Sequence, residues 1–165
     1  MKITSSKVLF LIAAIAISIG LYYYYRVPPK INLMTLEFED LEGNKIENKT
    51  LQKELVVLSF YKSWCGPCIG EMNSLRGLSS DFKDDVLVLC VSDEVIEKQK
   101  AMAARFSNGN LYFLNTKKTF KEIGIHTFPT NYVIRKDGYV LYEKTAADNW
   151  SSNEMRTKIE SWLRD

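Results

Sequence analysis

Apolar positions along the chain begin with one long run near the N-terminus. Residues 8–25 contain no charged side chain. As a helix, these eighteen residues would span about 27 Å at ~1.5 Å per residue, enough for the hydrocarbon core of a bilayer. The tyrosines at 22–25 resemble an interfacial aromatic belt, and Arg26 ends the run. The pattern predicts a transmembrane helix over 8–25, followed by a short, stiff, proline-containing linker over 26–32.

A cleaved signal peptide is the alternative interpretation of the same segment. Residues 8–17 would be its apolar region, and Ser18-Ile19-Gly20 offers the small residues of a cleavage site. The protein would then be secreted. We expect a retained anchor, because the apolar run continues past that site for long enough to span a membrane.

The remaining pattern predicts alternating strands and helices over 33–165. Continuous apolar runs indicate buried strands at 55–61 and 86–91, and a shorter strand at 111–114. Two further strands at 131–135 and 139–144 are joined by the turn residues 136–138. Helical patterns are expected after residue 65, over 94–106 behind a Ser92-Asp93 cap, over 117–123, and from a capping box at Ser151. Two short strands are expected within 31–46. This order predicts a central mixed sheet with helices on both faces.

The composition adds one constraint on the partners. The 165 residues are 46% hydrophobic, which fits one domain with a sizeable core. Four of the 22 basic residues and no acidic residue lie in 1–30, which leaves 18 basic against 20 acidic side chains beyond them. The predicted domain is therefore close to neutral, and its charge gives no case for nucleic-acid binding.

The candidate chemistry lies at Cys65 and Cys68, between the strand at 55–61 and a predicted helix. Pro67 suits the first turn of that helix, where its missing N–H has no cost. The helix N-terminus would favour the thiolate of Cys65 and lower its pKa, while Cys68 would be more buried. Such a pair can close and reopen by thiol–disulfide exchange, so we interpret it as a redox couple.

Two structural alternatives exist for the cysteine pair. A structural zinc site needs about four ligands, and the chain offers only Cys90 and His126 in addition. A purely structural disulfide closing so short a loop would restrain the unfolded chain little. We interpret Cys90, inside a predicted buried strand, as a core residue, with a regulatory thiol as the alternative.

Two motifs connect the chain with a known family. The segment Trp64-Cys65-Gly66-Pro67-Cys68 resembles the active-site motif of thioredoxins, and residues 124–130 resemble their cis-proline loop. With the membrane segment, residues 34–163 are similar to the TlpA/ResA-like branch of membrane-anchored thiol–disulfide oxidoreductases. The resemblance implies a thioredoxin fold with a short N-terminal β extension. It also implies that residues 1–7 are cytoplasmic and that the domain faces the periplasm or cell exterior.

The resemblance also implies roles for the motif residues. Cys65 would be the nucleophile and Cys68 the resolving cysteine of a Cys65–Cys68 disulfide. Trp64, Gly66 and Pro67 would shape the active site. The peptide bond before Pro129 would be cis, and the backbone of Thr127, Phe128 and Pro129 would pair with a substrate strand.

Proton handling departs from the thioredoxin pattern. Thioredoxins have a buried aspartate where this chain has Ser59, which is no general base by itself. Glu71 lies three residues after Cys68, on the same helical face, where ResA-like proteins have a glutamate. A buried Glu71 would have a raised pKa and could accept a proton, whereas a solvated one would not. A family proline two residues after this glutamate is replaced by Asn73.

The resemblance therefore implies a reductase of protein disulfides, since Gly66-Pro67 matches reducing thioredoxins. Cytochrome c apoprotein is one candidate substrate, a membrane thiol protein would be the electron donor, and no cofactor is expected. The reverse chemistry of an oxidase or isomerase is an alternative, and so is a redox sensor. Copper delivery through the two cysteines and His126 is a further alternative, although copper-binding relatives have three residues between their cysteines rather than two.

Overall fold

The computed structural model describes residues 5–51 and 53–164. One long N-terminal helix precedes a mixed α/β domain. The elements are α1 (Ser5–Arg26), β1 (Phe38–Glu39), β2 (Lys45–Ile46), β3 (Leu55–Phe60), α2 (Gly66–Asp81), β4 (Val86–Ser92), α3 (Ile96–Arg105), β5 (Leu111–Thr116), β6 (Thr130–Arg135), β7 (Val140–Thr145) and α4 (Asn153–Arg164). Two 3₁₀ helices, Leu33–Thr35 and Asn48–Leu51, flank β1 and β2.

The seven strands form one sheet in the order β2-β1-β5-β4-β3-β6-β7. Strands β3, β4 and β5 run parallel, whereas β6 is antiparallel to β3 and forms a hairpin with β7. Every residue of β3 and β4 is buried, as their uninterrupted apolar runs predict. The predicted mixed sheet and thioredoxin fold are therefore confirmed.

Successive residues of the central strands point to opposite faces and form two cores. On one face, Val57 and Val88 pack with Met72 of α2 and Ile159 of α4. On the other face, the strand residues pack against short 3₁₀ helices and a turn. That second core includes Leu33, Leu51, Leu58, Phe60, Leu89, Phe120, Ile125 and Tyr132. Helical elements thus cover both faces, but α2, α3 and α4 all contribute to the first core.

Helix α1 includes the whole predicted span of 8–25. It is long and apolar enough to cross a membrane by length and composition, and residues 8–25 are all exposed rather than buried in the domain. The tyrosines at 22–25 are all exposed near its C-terminal end.

The predicted helix over 117–123 is absent, and turns occupy this segment instead. The Ile125 N–H donates to the Phe120 carbonyl at 2.8 Å, and Gly124 has a φ of +79°, which ends any helical path. The Phe120 side chain is buried and its N–H is bonded to the Asp93 carboxylate. These tertiary contacts fix a tight turn where the local pattern favours a helix.

Three other boundaries differ from the predictions. Within 31–46, where two strands are expected, Leu33–Thr35 forms a 3₁₀ helix before β1, because the Asn32 side chain accepts a hydrogen bond from the Met34 N–H. Helix α3 begins only at Ile96 and has no side-chain cap, since Ser92 belongs to β4. Ser152 rather than Ser151 accepts the Met155 N–H at the start of α4, at 3.2 Å.

Candidate active site

The two cysteines lie where β3 passes into α2, and a disulfide joins them. Cys65 is the N-cap residue of α2, and its sulfur accepts the Cys68 N–H at 3.2 Å. A sulfur in this position faces the free N–H groups and the positive end of the helix, which together favour a thiolate. Cys65 is 5% exposed and Cys68 only 1%, so Cys65 is the more accessible of the two.

The residues around the cysteines are more open. Trp64 is 69% exposed, and both Gly66 and Pro67 are exposed in the first turn of α2. The turn before the helix is closed by the Cys65 N–H, which donates to the Lys62 carbonyl at 3.0 Å. A partner sulfur can therefore approach past Trp64, while Cys68 stays beneath the helix terminus.

The loop before β6 lies beside this turn. The Phe128–Pro129 peptide bond is cis. The Phe128 ring meets the Trp64 ring edge-on, with 6.1 Å between the centroids, and also packs on Phe120 at 5.4 Å. The fold thus brings together the two motifs, which are separated by about sixty residues in the sequence. Among the described residues, no backbone hydrogen bond involves Phe128. Its N–H and C=O can pair with an added strand.

Glu71 lies one turn after Cys68 in α2 and is only 3% exposed. One carboxylate oxygen, Oε1, accepts three hydrogen bonds: 2.8 Å from Asn131 Nδ2, 2.8 Å from the Asp148 N–H and 2.7 Å from Trp150 Nε1. The other oxygen, Oε2, is buried and has no partner among the described residues. Glu71 is therefore held firmly through one oxygen while the other remains available for a proton.

Burial raises the pKa of Glu71 to about 7, even though the three hydrogen bonds to Oε1 oppose the shift. Desolvation penalises the charged carboxylate more than the donors stabilise it. A carboxyl group with this pKa changes its protonation near neutral pH, which suits a general base or acid. Of the two environments considered for Glu71, the side chain is therefore in the buried one and not in the solvated one.

Ser59 lies beside this cluster, on the strand next to Asn131. It pairs in register with Cys90 of β4 and with Asn131 of β6. Its hydroxyl is buried and, like Asn131 Oδ1, has no hydrogen-bond partner among the described residues. The position at which thioredoxins have an aspartate is therefore polar but uncharged, and Glu71 provides the carboxyl group of this buried cluster.

A second set of charges surrounds the residues before Cys65. Lys62 forms an ion pair with Asp93, and its Nζ lies 4.9 Å from the centroid of the Phe120 ring. The Glu94 carboxylate accepts the Ser63 N–H at 2.6 Å and the Ser63 hydroxyl at 2.9 Å. Partial burial opposes ionisation of Glu94, but these bonds and the nearby Lys98 lower its pKa. The connection between β4 and α3 thus holds the turn that carries the cysteines.

The remaining cysteine and the histidine lie in different environments. Cys90 is fully buried, its sulfur is 3.7 Å from Met72 Sδ, and burial raises the pKa of its thiol. His126 stacks on Tyr24, with 3.9 Å between the ring centroids. Within residues 5–51 and 53–164, no group of three or more His, Cys, Asp or Glu side chains is placed to hold a metal ion.

Sequence reasoning missed the partners of the site residues. Asn131 and Trp150 could have been suspected, because a polar residue at the start of an apolar strand and an indole N–H both need partners when buried. The roles of Lys62, Asp93 and Glu94 have no local signal. Their contacts depend on two loops that meet only after β3 and β4 pair.

The raised pKa of Glu71 predicts a specific dependence of stability on pH. Between about pH 4.5 and 7 the folded protein holds a proton that the unfolded chain releases, so the free energy of unfolding falls as pH rises. The shift corresponds to about 3 kcal/mol over this range. Denaturant unfolding of the oxidised protein should show this decline in the wild type but not in Glu71→Gln. Parallel pH profiles of the two proteins would contradict it, because the other titrating groups are common to both.

Comparison with known proteins agrees with this geometry. The AhpC/TSA family profile matches residues 29–143. The thiol–disulfide oxidoreductase ResA of Bacillus cereus is 34% identical over 129 residues, which cover 76% of this chain and 70% of that protein. The thioredoxin-like protein YneN of Bacillus subtilis is 23% identical, over 73% of this chain and 72% of the length of YneN.

The thioredoxin domain of a thiol–disulfide oxidoreductase from Bacteroides vulgatus superposes with a TM-score of 0.65 at 18% identity, covering 83% of this chain and 99% of that domain. The chain therefore belongs to the AhpC/TSA family and is a thiol–disulfide oxidoreductase of the ResA-like, thioredoxin-fold type.

Proposed function

We propose that this protein is an extracytoplasmic, membrane-anchored reductase of protein disulfides, with Cys65 as the nucleophile. The observation that carries the proposal is the position of the Cys65 sulfur at the N-cap of α2, where it accepts the Cys68 N–H. The helix terminus stabilises negative charge on this sulfur both as an attacking thiolate and as a leaving group. Cys68 is inside the first turn of α2 and nearly inaccessible to a substrate, so its sulfur is suited to attack the neighbouring Cys65 sulfur and not the substrate.

The reaction proceeds through two exchanges from the reduced protein. The Cys65 thiolate attacks one sulfur of a substrate disulfide, the substrate S–S bond breaks, and its other sulfur leaves as a thiolate that takes a proton. Cys68 loses its proton and attacks the Cys65 sulfur of this mixed disulfide. The Cys65–Cys68 bond forms and the second substrate sulfur departs. The substrate gains two electrons and two protons, and the protein becomes oxidised.

Glu71 is the proposed proton acceptor for Cys68. It lies one helical turn away on the same face of α2, with a pKa of about 7 and a buried oxygen that has no partner in the described part of the chain. The ionised carboxylate would take the Cys68 proton, and the neutral acid would return it when the couple is re-reduced. The loop at 127–129 would hold the substrate backbone beside Cys65, with Trp64 and Phe128 as apolar walls.

The reducing direction and the location rest on sequence features. Gly66-Pro67 is the pair found in reducing thioredoxins, and α1 is long enough to span a bilayer. We infer an arrangement with 1–7 in the cytoplasm, 8–25 in the membrane, 26–32 as linker and 33–165 outside. Electrons would come from a membrane dithiol protein, and oxidised extracytoplasmic proteins such as cytochrome c apoprotein would accept them. Secretion after cleavage remains the alternative for the N-terminal segment.

Trapping tests the assignment of the two cysteines. Cys68→Ala leaves the nucleophile but removes its resolution, so a mixed disulfide with a disulfide-containing peptide should accumulate. Cys65→Ala should form none, and Cys90→Ala should behave like the wild type because its thiol is buried. Intact mass under non-reducing conditions measures the adduct. Accumulation in Cys65→Ala instead would reverse the roles.

The pH dependence of exchange tests Glu71. In the wild type, the rate of mixed-disulfide resolution should rise through about pH 7 as Glu71 ionises. Glu71→Gln should lose this inflection and resolve about tenfold or more slowly near pH 8, because general-base assistance is typically worth at least this much. Glu97→Gln, an exposed glutamate of α3, is the matched control. An unchanged profile in Glu71→Gln would eliminate the proposed role.

The reduction potential of the Cys65–Cys68 couple tests the direction. Full-length protein equilibrated in thiol–disulfide buffers should give a value near or below roughly −250 mV, in the range of thioredoxin-like reductants. A value between roughly −120 and −180 mV would instead make the protein an oxidant or isomerase. Counting free thiols after acid trapping provides the measurement, with Cys90 as a constant background.

A further inference from the structure

The C-terminal end of α1 contacts the domain at the loop that precedes β6. The Tyr24 ring stacks on the His126 ring, with 3.9 Å between centroids and an interplanar angle of 19°. The next residue, Tyr25, accepts a 2.7 Å hydrogen bond from the Thr127 hydroxyl through its carbonyl. The end of the apolar helix thus meets the two residues that directly precede Phe128 and Pro129.

The linker continues the same contact. The Tyr132 hydroxyl donates to the Pro29 carbonyl at 2.7 Å. A Cβ placed on Gly124 would lie 3.1 Å from Pro29 Cβ, so the linker passes closely over the turn before His126. Together these residues form what we call the juxtamembrane clamp: Tyr24, Tyr25 and Pro29 on one side, and Gly124, His126, Thr127 and Tyr132 on the other.

The clamp determines how far the active site can be from the membrane. Tyrosines at the end of a spanning helix lie at the level of the lipid headgroups. His126 stacks face to face on one of them, so it lies at the same level. Phe128 follows two residues later, which is at most about 7 Å of extended chain. Trp64 is 6.1 Å from Phe128 between ring centroids. The entrance to Cys65 is therefore within reach of the bilayer surface.

The exposed ring of Trp64 fits this placement. It is 69% exposed and near the clamped loop, and an indole with an apolar body and a polar N–H suits the membrane–water interface. The domain itself has no strong charge that would repel a lipid surface. A domain on a freely swinging linker would need none of the contacts of the clamp.

We propose that the juxtamembrane clamp holds the active-site entrance, Trp64 and the loop at 127–129, against the membrane surface, so that Cys65 reacts preferentially with disulfides held at that surface. The partner class is a protein whose cysteine pair is presented at the headgroup level, rather than one diffusing freely in the aqueous phase. This inference rests on the proposed membrane anchor and on dithiol exchange at Cys65, and it adds the geometry of the encounter.

The depth of Trp64 is the first measurement. Full-length protein is reconstituted into phosphatidylcholine vesicles that contain phosphatidylcholine with a nitroxide on the headgroup. The fluorescence of Trp64 is obtained by subtracting the spectrum of Trp64→Phe from that of the wild type. This subtraction removes the signals of buried Trp150 and half-buried Trp162, which both proteins share. We expect strong quenching of Trp64 in the wild type.

A pair of double variants separates the clamp from the anchor. Tyr24→Ala with Tyr132→Phe removes the ring stack and the hydrogen bond to Pro29, and should lower the quenching of Trp64 at least twofold. Tyr23→Ala with Tyr139→Phe is the matched control and should keep the wild-type quenching, since the Tyr23 ring contacts Tyr22 and the Tyr139 ring contacts Arg135. Equal quenching in both double variants would overturn the clamp.

Exchange rates provide the functional readout. A disulfide peptide coupled to a lipid headgroup by a short linker is compared with the same peptide in solution. The clamp variant should lose several-fold in rate towards the lipid-linked peptide and keep its rate towards the soluble one, which a general folding defect would not do. Equal losses for both peptides would overturn the proposal.

Washing the vesicles at alkaline pH distinguishes the two levels of inference. Release of the wild-type protein would contradict the anchor itself and therefore the clamp as well. Retention of the protein without quenching of Trp64 would contradict only the clamp and leave the anchored oxidoreductase in place.

Discussion

One buried carboxylate oxygen joins the parts of the domain on which the active site depends. Oε1 of Glu71 accepts hydrogen bonds from β6 through Asn131, and from the segment between β7 and α4 through Asp148 and Trp150. It thereby ties the helix that carries Cys68 to the strand that follows the cis-proline loop. Three donors on one oxygen offset part of the cost of burying the group, and the remaining desolvation brings its pKa to about 7. The same interaction thus orients α2 and sets a proton affinity near neutral pH.

The charged side chains of the active site lie in two separate regions. Below α2, the Glu71 carboxylate is bonded to Asn131, which pairs in register with Ser59, and both of these partner side chains are uncharged. In front of α2, the charges of Lys62 and Asp93 are paired, and Glu94 is bonded to Ser63. The paired charges stabilise the turn without presenting a net charge to the incoming substrate. The proposed substrate surface is therefore mainly Trp64, Phe128 and the backbone of the loop at 127–129, which suits recognition by shape and strand pairing.

In the proposed anchored arrangement, helix α1 connects these features to the membrane surface. In many anchored domains the linker alone determines the distance to the bilayer. Here the linker has few residues, its prolines reduce its freedom, and Pro29 and Tyr24 both contact the domain. The contacts involve the loop at 126–127 rather than a remote surface, so the proposed anchor would couple the orientation of the domain to substrate access. An anchored enzyme gains from such coupling, because fixing the encounter geometry reduces the entropy lost on binding a partner at the same surface.

The sequence by itself determined the sheet and the cysteine chemistry. Apolar runs predict buried strands at β3 and β4, and the strand, tight turn and Pro67 predict a helix that begins at the cysteines. These signals are local, because an apolar run is a property of consecutive residues and a helix start is set by the residues of its first turn. Local signals were wrong at 117–123, where packing of Phe120 and its bond to Asp93 produce turns instead of a helix. Only the tertiary structure decided whether Glu71 is buried, which donors contact it, and that Tyr24 and His126 stack. Each of these depends on segments separated by sixty to a hundred residues, and their contacts are set by the path of the whole sheet rather than by any local pattern.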